Sequence, residues 1–237
     1  MDERATLTAV SCTSSNSMEA GFHGEKCSQL ELTDCVSDED GVGCSVAIGA
    51  RLGATRVAVT RSTGCGYVVS HNAYAVLQGC SAKACGEHGL HCEEFDAVVH
   101  ASGCTFESNG LCGVLAEHMV DVTVEKCTFQ SNGECGVKAE GAAPEHALEH
   151  AFQHVRTRDT AEGTVKGCHS SQHSIAGYLA VGDASMKVSG SISEGDKAGC
   201  CASEGGQLTM GNVTVDGVLQ TGQLPRRSKG GRASENE

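Results

Sequence analysis

Apolar and polar residues alternate along short stretches of this chain. Val120, Val122 and Val124 are separated by single polar residues, and Val114 and Ala116 have the same spacing just before them. A period of two places successive side chains on opposite faces of a β-strand, whereas a helix needs apolar residues three and four positions apart. The stretches are separated by Gly, Asn and Ser, which favour turns. The pattern therefore predicts short strands with one buried and one exposed face.

These stretches recur with a period of about 23 residues, which falls in the range of known solenoid repeats. The segment CTFESNGLCGVLAE, which begins at Cys104, recurs as CTFQSNGECGVKAE from Cys127. A glycine marks the same point of most units, at Gly21, Gly43, Gly66, Gly89, Gly113, Gly136, Gly177 and Gly199. Successive glycines are one period apart, except that nearly two periods separate Gly136 from Gly177. That long interval indicates an insertion or a degenerate coil at about residues 141–163.

A unit of this length with two or three short strands is typical of one coil of a parallel β-helix. Leucine-rich repeats have a similar period, but they need a regular frame of leucines, and leucine is too scarce in this chain. Equivalent residues of successive coils stack about 4.8 Å apart, so each inward position must accept its own copies. The predicted inward columns are Ala9, Leu32, Ala101 and Val124; Cys12, Cys35, Cys104 and Cys127; Cys65, His88, Cys112 and Cys135; and Phe106 over Phe129. Asn109 and Asn132 are predicted to form a corner ladder in the left-handed conformation. The register stays open between Arg51 and Gly79.

The pattern C-T-F-x-S-N-G-x-C-G-V-x-A-E resembles the right-handed parallel β-helix repeats of pectate-lyase-like proteins. It is also similar to the repeats of periplasmic copper-site assembly proteins and of the substrate-reading regions of certain F-box adaptors. The resemblance covers about residues 5–220 and implies an all-β, single-stranded, right-handed solenoid of eight to nine coils. It does not imply one activity, because such folds include lyases, hydrolases, epimerases and non-catalytic binding modules.

Composition narrows the partners and the location. The 17 Lys and Arg against 30 Asp and Glu give a net charge of −13, which disfavours nucleic acid and anionic membranes as ligands. The sequence starts without the basic and apolar regions of a secretory signal, so we expect a cytoplasmic protein, with the nucleus as an alternative. The 15 cysteines are an odd number, and the main ones fall on inward repeat positions. Most of them are therefore predicted to be reduced and buried.

Residues on the outward positions of the last strand in each unit, most of them polar, form the candidate binding face. Its members are His91, Glu93, Glu94, Leu115, Glu117, His118, Lys138 and Glu140. Glu93, Glu117 and Glu140 are predicted to stack at strand spacing, where like charges raise one another's pKa and attract a cation such as Ca²⁺.

Three interpretations of this face remain open. It is a solvated acidic stripe, a binding surface for a cation or a basic partner, or part of a catalytic site. A lyase similar to the pectate lyases would hold Ca²⁺ on the carboxylates and use a basic residue to abstract a proton. The leading hypothesis is a non-catalytic module that binds protein or glycan, with a carbohydrate-active enzyme (lyase or glycoside hydrolase) and a structural segment of a larger protein as alternatives.

Two further groups suggest metal chemistry. In the insertion, Ala147, Leu148, Ala151, Phe152 and Val155 predict an amphipathic helix. His146, His150 and His154 follow another side of that helix, where they form either a transition-metal site or an exposed polar face. Cys80, Cys85, His88, His91 and Cys92 form the densest Cys/His group, but alternation puts His91 and Cys92 on opposite faces, which disfavours zinc.

The two ends of the chain lead to separate expectations. Residues 221–237 are polar and rich in Gly, and are predicted to be a disordered tail with a basic cluster at Arg226, Arg227, Lys229 and Arg232. The first coil begins near residue 5 without an amphipathic cap, which leaves strand edges unpaired. This predicts either a larger parent chain or end-to-end self-association.

Overall fold

The computed structural model of the chain describes residues 5–141 and 160–216, and the backbone of residues 219–221. Every regular element in these ranges is a β-strand. The strands form three sheets of nine strands each, and each strand pairs in parallel with its equivalents in the neighbouring coils. One coil contributes one strand to each sheet, so the chain winds as a parallel β-helix. The predicted all-β solenoid of eight to nine coils is confirmed.

The first sheet carries an inward column of aliphatic residues. Its strands are β1 (Thr6–Val10), β4 (Gln29–Thr33), β7 (Arg51–Thr55), β10 (Tyr74–Gln78), β13 (Val98–Ser102), β16 (Asp121–Glu125), β19 (Glu162–Lys166), β22 (Ser185–Ser189) and β25 (Gln207–Gly211). The predicted column is confirmed and is completed by Ala54 and Leu77, which lie between Leu32 and Ala101. The register that the sequence left open is thereby settled: Arg51 pairs with Gln29 and Tyr74.

The second sheet has the shortest strands and contains the stacked phenylalanines. Its strands are β2 (Thr13–Ser15), β5 (Val36–Asp38), β8 (Ala58–Thr60), β11 (Ser81–Lys83), β14 (Thr105–Glu107), β17 (Thr128–Gln130), β20 (His169–Ser171), β23 (Ile192–Glu194) and β26 (Thr214–Asp216). Phe106 and Phe129 are register partners whose ring centroids lie 5.6 Å apart with an interplanar angle of 7°. Val59 and Ala82 occupy the same column in earlier coils.

The third sheet is organised by a column of glycines near the start of its strands. Its strands are β3 (Ala20–Gly24), β6 (Val42–Val46), β9 (Tyr67–Ser70), β12 (Leu90–Glu93), β15 (Val114–Glu117), β18 (Cys135–Glu140), β21 (Ala176–Val181), β24 (Ala198–Ser203) and β27 (Leu219–Thr221). A Cβ atom on Gly89 or Gly113 would lie within 2.7 Å of the carbonyl oxygen of the next glycine in the column. The glycine recurrence thus reflects close approach of successive coils.

The corner between the second and third sheets contains the predicted asparagine ladder. Asn109 Nδ2 donates to Asn132 Oδ1 at 3.0 Å, and both residues are 2% exposed. The backbone N–H of Asn109 also donates to Asn132 Oδ1, at 3.1 Å. The predicted left-handed conformation of the asparagines is wrong: it belongs to the preceding residues, Ser108 (φ 57°) and Ser131 (φ 53°). The asparagines instead use their amides to satisfy buried backbone groups.

Most of the cysteines are buried as small apolar side chains. The predicted inward column of Cys65, His88, Cys112 and Cys135 is wrong for its last two members, which pack in a separate apolar group with Leu115 and Leu179 and not in the solenoid core. All 15 are free thiols, and only Cys12 and Cys27 are exposed. Cys12 occupies its predicted column but lies in the first coil, where no earlier described coil covers it. Burial raises the pKa of the Cys65 thiol to about 12, so this group stays protonated.

The long interval between Gly136 and Gly177 contains an insertion and not a further coil. β18 pairs directly with β21, and β16 pairs directly with β19, so the sheets continue across it. The predicted helix and the residues His146, His150 and His154 lie outside the described residues, as does the basic cluster of the tail. Among the described residues there is no helix long and apolar enough to cross a membrane.

Candidate functional site

The predicted face lies on the outer side of the third sheet, on strands β12, β15 and β18. His91 and Leu115 are register partners, and Leu115 in turn pairs with Lys138. Glu117 and Glu140 are also register partners, and Glu93 ends strand β12 in the coil before them. Parallel pairing in register therefore brings together side chains from three successive repeats of the sequence. We call the group Glu93, Glu117, Glu140, His91 and Lys138 the acidic face.

His91 is paired with the two nearest carboxylates of the acidic face. Its Nε2 atom lies 2.8 Å from Glu117 Oε2 and 3.8 Å from Glu93 Oε2. Burial of the imidazole disfavours its charged form, but the hydrogen bond to Glu117 and the charges of Glu93 and Glu117 outweigh burial, and the pKa of His91 is raised. The same hydrogen bond lowers the pKa of Glu117. His91 thus neutralises part of the negative charge of the acidic face.

Lys138 is similarly paired, with Glu140 of its own strand. The Lys138 side chain is only 20% exposed, and this burial disfavours its charge. The hydrogen bond to Glu140 and the charge of that carboxylate outweigh burial, so the pKa of Lys138 is raised. Lys138 therefore keeps its proton near neutral pH, and this opposes its use as a general base.

Two predicted members of the face, Glu94 and His118, lie at the corner that follows the strands. Both have positive φ angles, 56° for Glu94 and 61° for His118. Glu94 forms an ion pair with His71 of the preceding coil. These residues border the acidic face but do not join the pairs formed by His91 and Lys138.

Phe95 is a site feature that sequence reasoning missed. It is 48% exposed, has a φ angle of 37°, and lies between two further left-handed residues, Glu94 and Asp96. Its ring lies 6.2 Å from that of His71, which also pairs with Glu94. An exposed aromatic ring held by strained backbone beside a charged face is a feature of binding surfaces. The available signal was an aromatic residue directly after the strand end, in the sequence HCEEFD.

The described residues contain one group whose ligand atoms could hold a metal ion together, formed by His91, Glu93 and Glu117. These ligand atoms lie within 4.8 Å of one another. One imidazole and two carboxylates suit a transition metal better than Ca²⁺, which takes six to eight oxygen ligands. The predicted cation site consisted of Glu93, Glu117 and Glu140. In the structure His91 takes the place of Glu140 in this group, and Glu140 pairs with Lys138. Cys92 points inward and His91 outward, as the alternation predicts for the Cys/His group.

The paired charges of His91 and Glu117 predict a pH-dependent contribution to stability. The raised pKa of His91 stabilises the fold at low pH, and this is lost as the pH rises through its folded value. The lowered pKa of Glu117 stabilises the fold at higher pH, and this is lost as the pH falls through its folded value. The substitution His91→Gln should therefore lower the free energy of unfolding most between about pH 4.5 and 6.5, by roughly 1 kcal/mol, and only a little at pH 8.5.

Urea unfolding of wild type and His91→Gln at several pH values measures this difference. His169→Gln is a matched control, because His169 pairs with Glu194 at 2.7 Å but its side chain is 44% exposed. We expect a smaller and flatter loss for the control. A loss for His91→Gln that does not change with pH would contradict the ion pair.

The comparisons with known proteins agree with this geometry. A family model described as the right-handed β-helix region matches residues 2–122 and again residues 102–224. A search of curated proteins finds no significant match. Nearly the whole chain is matched by the family model, and three parallel sheets wind along the described residues. The chain belongs to the right-handed β-helix family, and the handedness implied by the sequence resemblance is confirmed.

Proposed function

We propose that this protein is a non-catalytic β-helix module that binds a protein partner through the acidic face and the adjoining ring of Phe95. The observation that carries the proposal is the exposed Phe95 ring, held by left-handed backbone at the border of paired charged groups. An aromatic anchor beside charged groups suits a partner that offers a small apolar pocket and basic side chains. The net charge of −13 would also attract a basic partner at long range.

The pairing within the face supports binding over catalysis. A lyase needs a free base near its carboxylates, but Lys138, the lysine of this face, is paired with Glu140 and has a raised pKa. A depression lined by Val76, His100, Thr123 and neighbouring residues lies on the first sheet, away from the acidic face. The carbohydrate-active enzyme therefore stays the second hypothesis, and a glycan stays the alternative ligand.

The test is a binding screen with variants on two sheets. The protein is presented to arrays of basic peptides and of acidic and neutral glycans, and each ligand that binds is measured again with Phe95→Ser and Glu117→Gln combined. We expect a loss of roughly tenfold or more in affinity for a basic peptide. Glu107→Gln is the matched control, since Glu107 pairs with Lys83 on the second sheet, and it should change affinity by less than about twofold.

Two results would contradict the proposal. Incubation with polygalacturonate and Ca²⁺ that forms unsaturated uronate product, and loses this activity in Glu117→Gln, would establish the lyase. Affinity that is unchanged by the double variant, for every ligand found, would place binding on another surface.

A further inference from the structure

The asparagine ladder at the corner between the second and third sheets continues in the next two coils with other residues. His173, in the seventh coil (β19–β21), takes the position that Asn132 has in the sixth coil (β16–β18), and Asp196 takes it in the eighth. The backbone N–H of Asn132 donates to His173 Nδ1 at 3.1 Å. The backbone N–H of His173 in turn donates to Asp196 Oδ1 at 2.8 Å. Each of these side chains therefore accepts an N–H group of the coil before it.

His173 serves the ladder less completely than an asparagine does. Asn132 accepts the backbone N–H of Asn109 with Oδ1 and donates from Nδ2 to the carbonyl oxygen of Phe106 at 3.1 Å. His173 also accepts a backbone N–H, but its Nε2 atom is buried and has no hydrogen-bond partner among the described residues. Because Nδ1 is the acceptor, the neutral imidazole carries its proton on Nε2. The seventh coil therefore buries an unsatisfied donor where the sixth coil has none.

The residues around His173 form a buried polar group, which we call the polar corner: Ser170, His173, Ser193 and Asp196. All four are at most 7% exposed. The Ser193 hydroxyl donates to Asp196 Oδ2 at 2.5 Å, and the Ser170 hydroxyl donates to the same atom at 3.4 Å. Ser170 is the register partner of Phe129, so the phenylalanine stack ends at the sixth coil. The junction between the sixth and seventh coils thus rests on a serine and an imidazole, whereas the junction before it has a phenylalanine and an amide.

The charge that faces the imidazole comes from the following coil. The groups next to His173 are Asn132 and Gly136 of the sixth coil, Ser170 of its own coil and Asp196 of the eighth, and of these Asp196 is ionisable. Burial disfavours the charged imidazole and outweighs the charge of Asp196, so the pKa of His173 is lowered. A histidine of this kind binds fewer protons in the folded than in the unfolded chain. Its contribution to stability is present above the unfolded pKa of about 6.5 and is lost as the pH falls below it.

We propose that His173 makes the junction between the sixth and seventh coils sensitive to acid. Protonation of Nδ1 replaces the acceptor of the Asn132 N–H by a donor, so two buried donors face each other and the corner opens to water. The ladder between Asn109 and Asn132 contains no group that titrates in this range and stays closed. A fall in pH thus loosens the solenoid at one place. The inference is independent of the proposed function, because the polar corner is not part of the acidic face.

Hydrogen exchange of the full chain, measured by mass spectrometry of its peptides, tests the proposal. We expect the protection factors of peptides within residues 127–140 and 168–181 to fall roughly tenfold between pH 7.5 and 5.0. Peptides within residues 51–83 are the internal reference and should change by less than about threefold. His173→Asn gives the seventh coil the ladder residue of the sixth. It should reduce the loss at the polar corner to that of the reference.

His169→Asn is the matched control for this variant. His169 belongs to the same coil, but its side chain is 44% exposed and pairs with Glu194. The control should keep the wild-type loss of protection in acid. A loss of equal size in the reference peptides and at the polar corner would overturn the proposal, and this comparison needs only the wild-type chain. A loss that persists in His173→Asn, or that His169→Asn also removes, would overturn it as well.

Discussion

Replacing Phe129 by alanine should lower the free energy of unfolding by about 4 kcal/mol. Phe129 is 0% exposed and stacks on Phe106, and its ring also lies against Gly113 of the third sheet. The loss combines the transfer of the ring to water, a cavity that neighbouring coils cannot fill, and the lost aromatic contact. Because each coil rests on the next, the cavity weakens the stack on both sides of the fifth and sixth coils.

Urea unfolding followed by circular dichroism measures this loss. Phe95→Ala is the matched control, because Phe95 is 48% exposed, and we expect a change below about 1 kcal/mol. Phe129→Leu should recover most of the loss, leaving about 1.5 kcal/mol, since it keeps apolar volume but removes the stack. Similar losses for Phe129→Ala and Phe95→Ala would mean that the phenylalanine stack does not hold the coils together.

Replacing Gly113 by alanine should destabilise the protein by about 3 kcal/mol although it adds a single methyl group. The new Cβ atom would lie 2.7 Å from the carbonyl oxygen of Gly136, 2.8 Å from Phe129 Cδ1 and 3.0 Å from Asn132 Nδ2. The nearest of these atoms belongs to the backbone of the next coil, so it cannot rotate away. Relief requires the two coils to separate, which lengthens their hydrogen bonds.

Gly211→Ala is the control for this substitution. Gly211 ends strand β25, and an added Cβ atom there would meet nothing within 4 Å. Since alanine restricts the unfolded chain, this variant should be unchanged or more stable by about 0.5 kcal/mol. In the same unfolding assay, Gly113→Ala should therefore lower the free energy of unfolding, whereas Gly211→Ala should not. A small effect of Gly113→Ala would show that the glycine column tolerates side chains and recurs for another reason.

Inward positions were predictable because the solenoid repeats its own geometry. The offset that aligns Phe106 with Phe129 in sequence also makes them register partners in the second sheet. The same offset places Cys104 over Cys127, where the backbone N–H of Cys104 lies 3.4 Å from Cys127 Sγ. A buried column admits few residue types, so repetition in sequence indicates repetition in space.

The candidate face was predictable only in outline. The column of carboxylates at Glu117 and Glu140 follows from register, but the pairs do not. His91 reaches Glu117 across one coil, whereas Lys138 turns to Glu140 within its own strand. These choices depend on side-chain rotamers, for which the alternation of apolar and polar residues carries no information. The role of Phe95 was not predicted, because its exposure results from the left-handed backbone that follows strand β12.

The sequence by itself determined the period, most of the inward columns and the family, because strand alternation within a repeat of about 23 residues is compatible with few packed structures. The tertiary structure decided the pairing of charges on the acidic face, the left-handed residue at the asparagine corner and the burial of Leu115. The pair of His91 with Glu117 and the bond between Asn109 and Asn132 join atoms of neighbouring coils, whereas Lys138 pairs within its own strand. Only the stacked coils define which outward side chains meet and which remain in water.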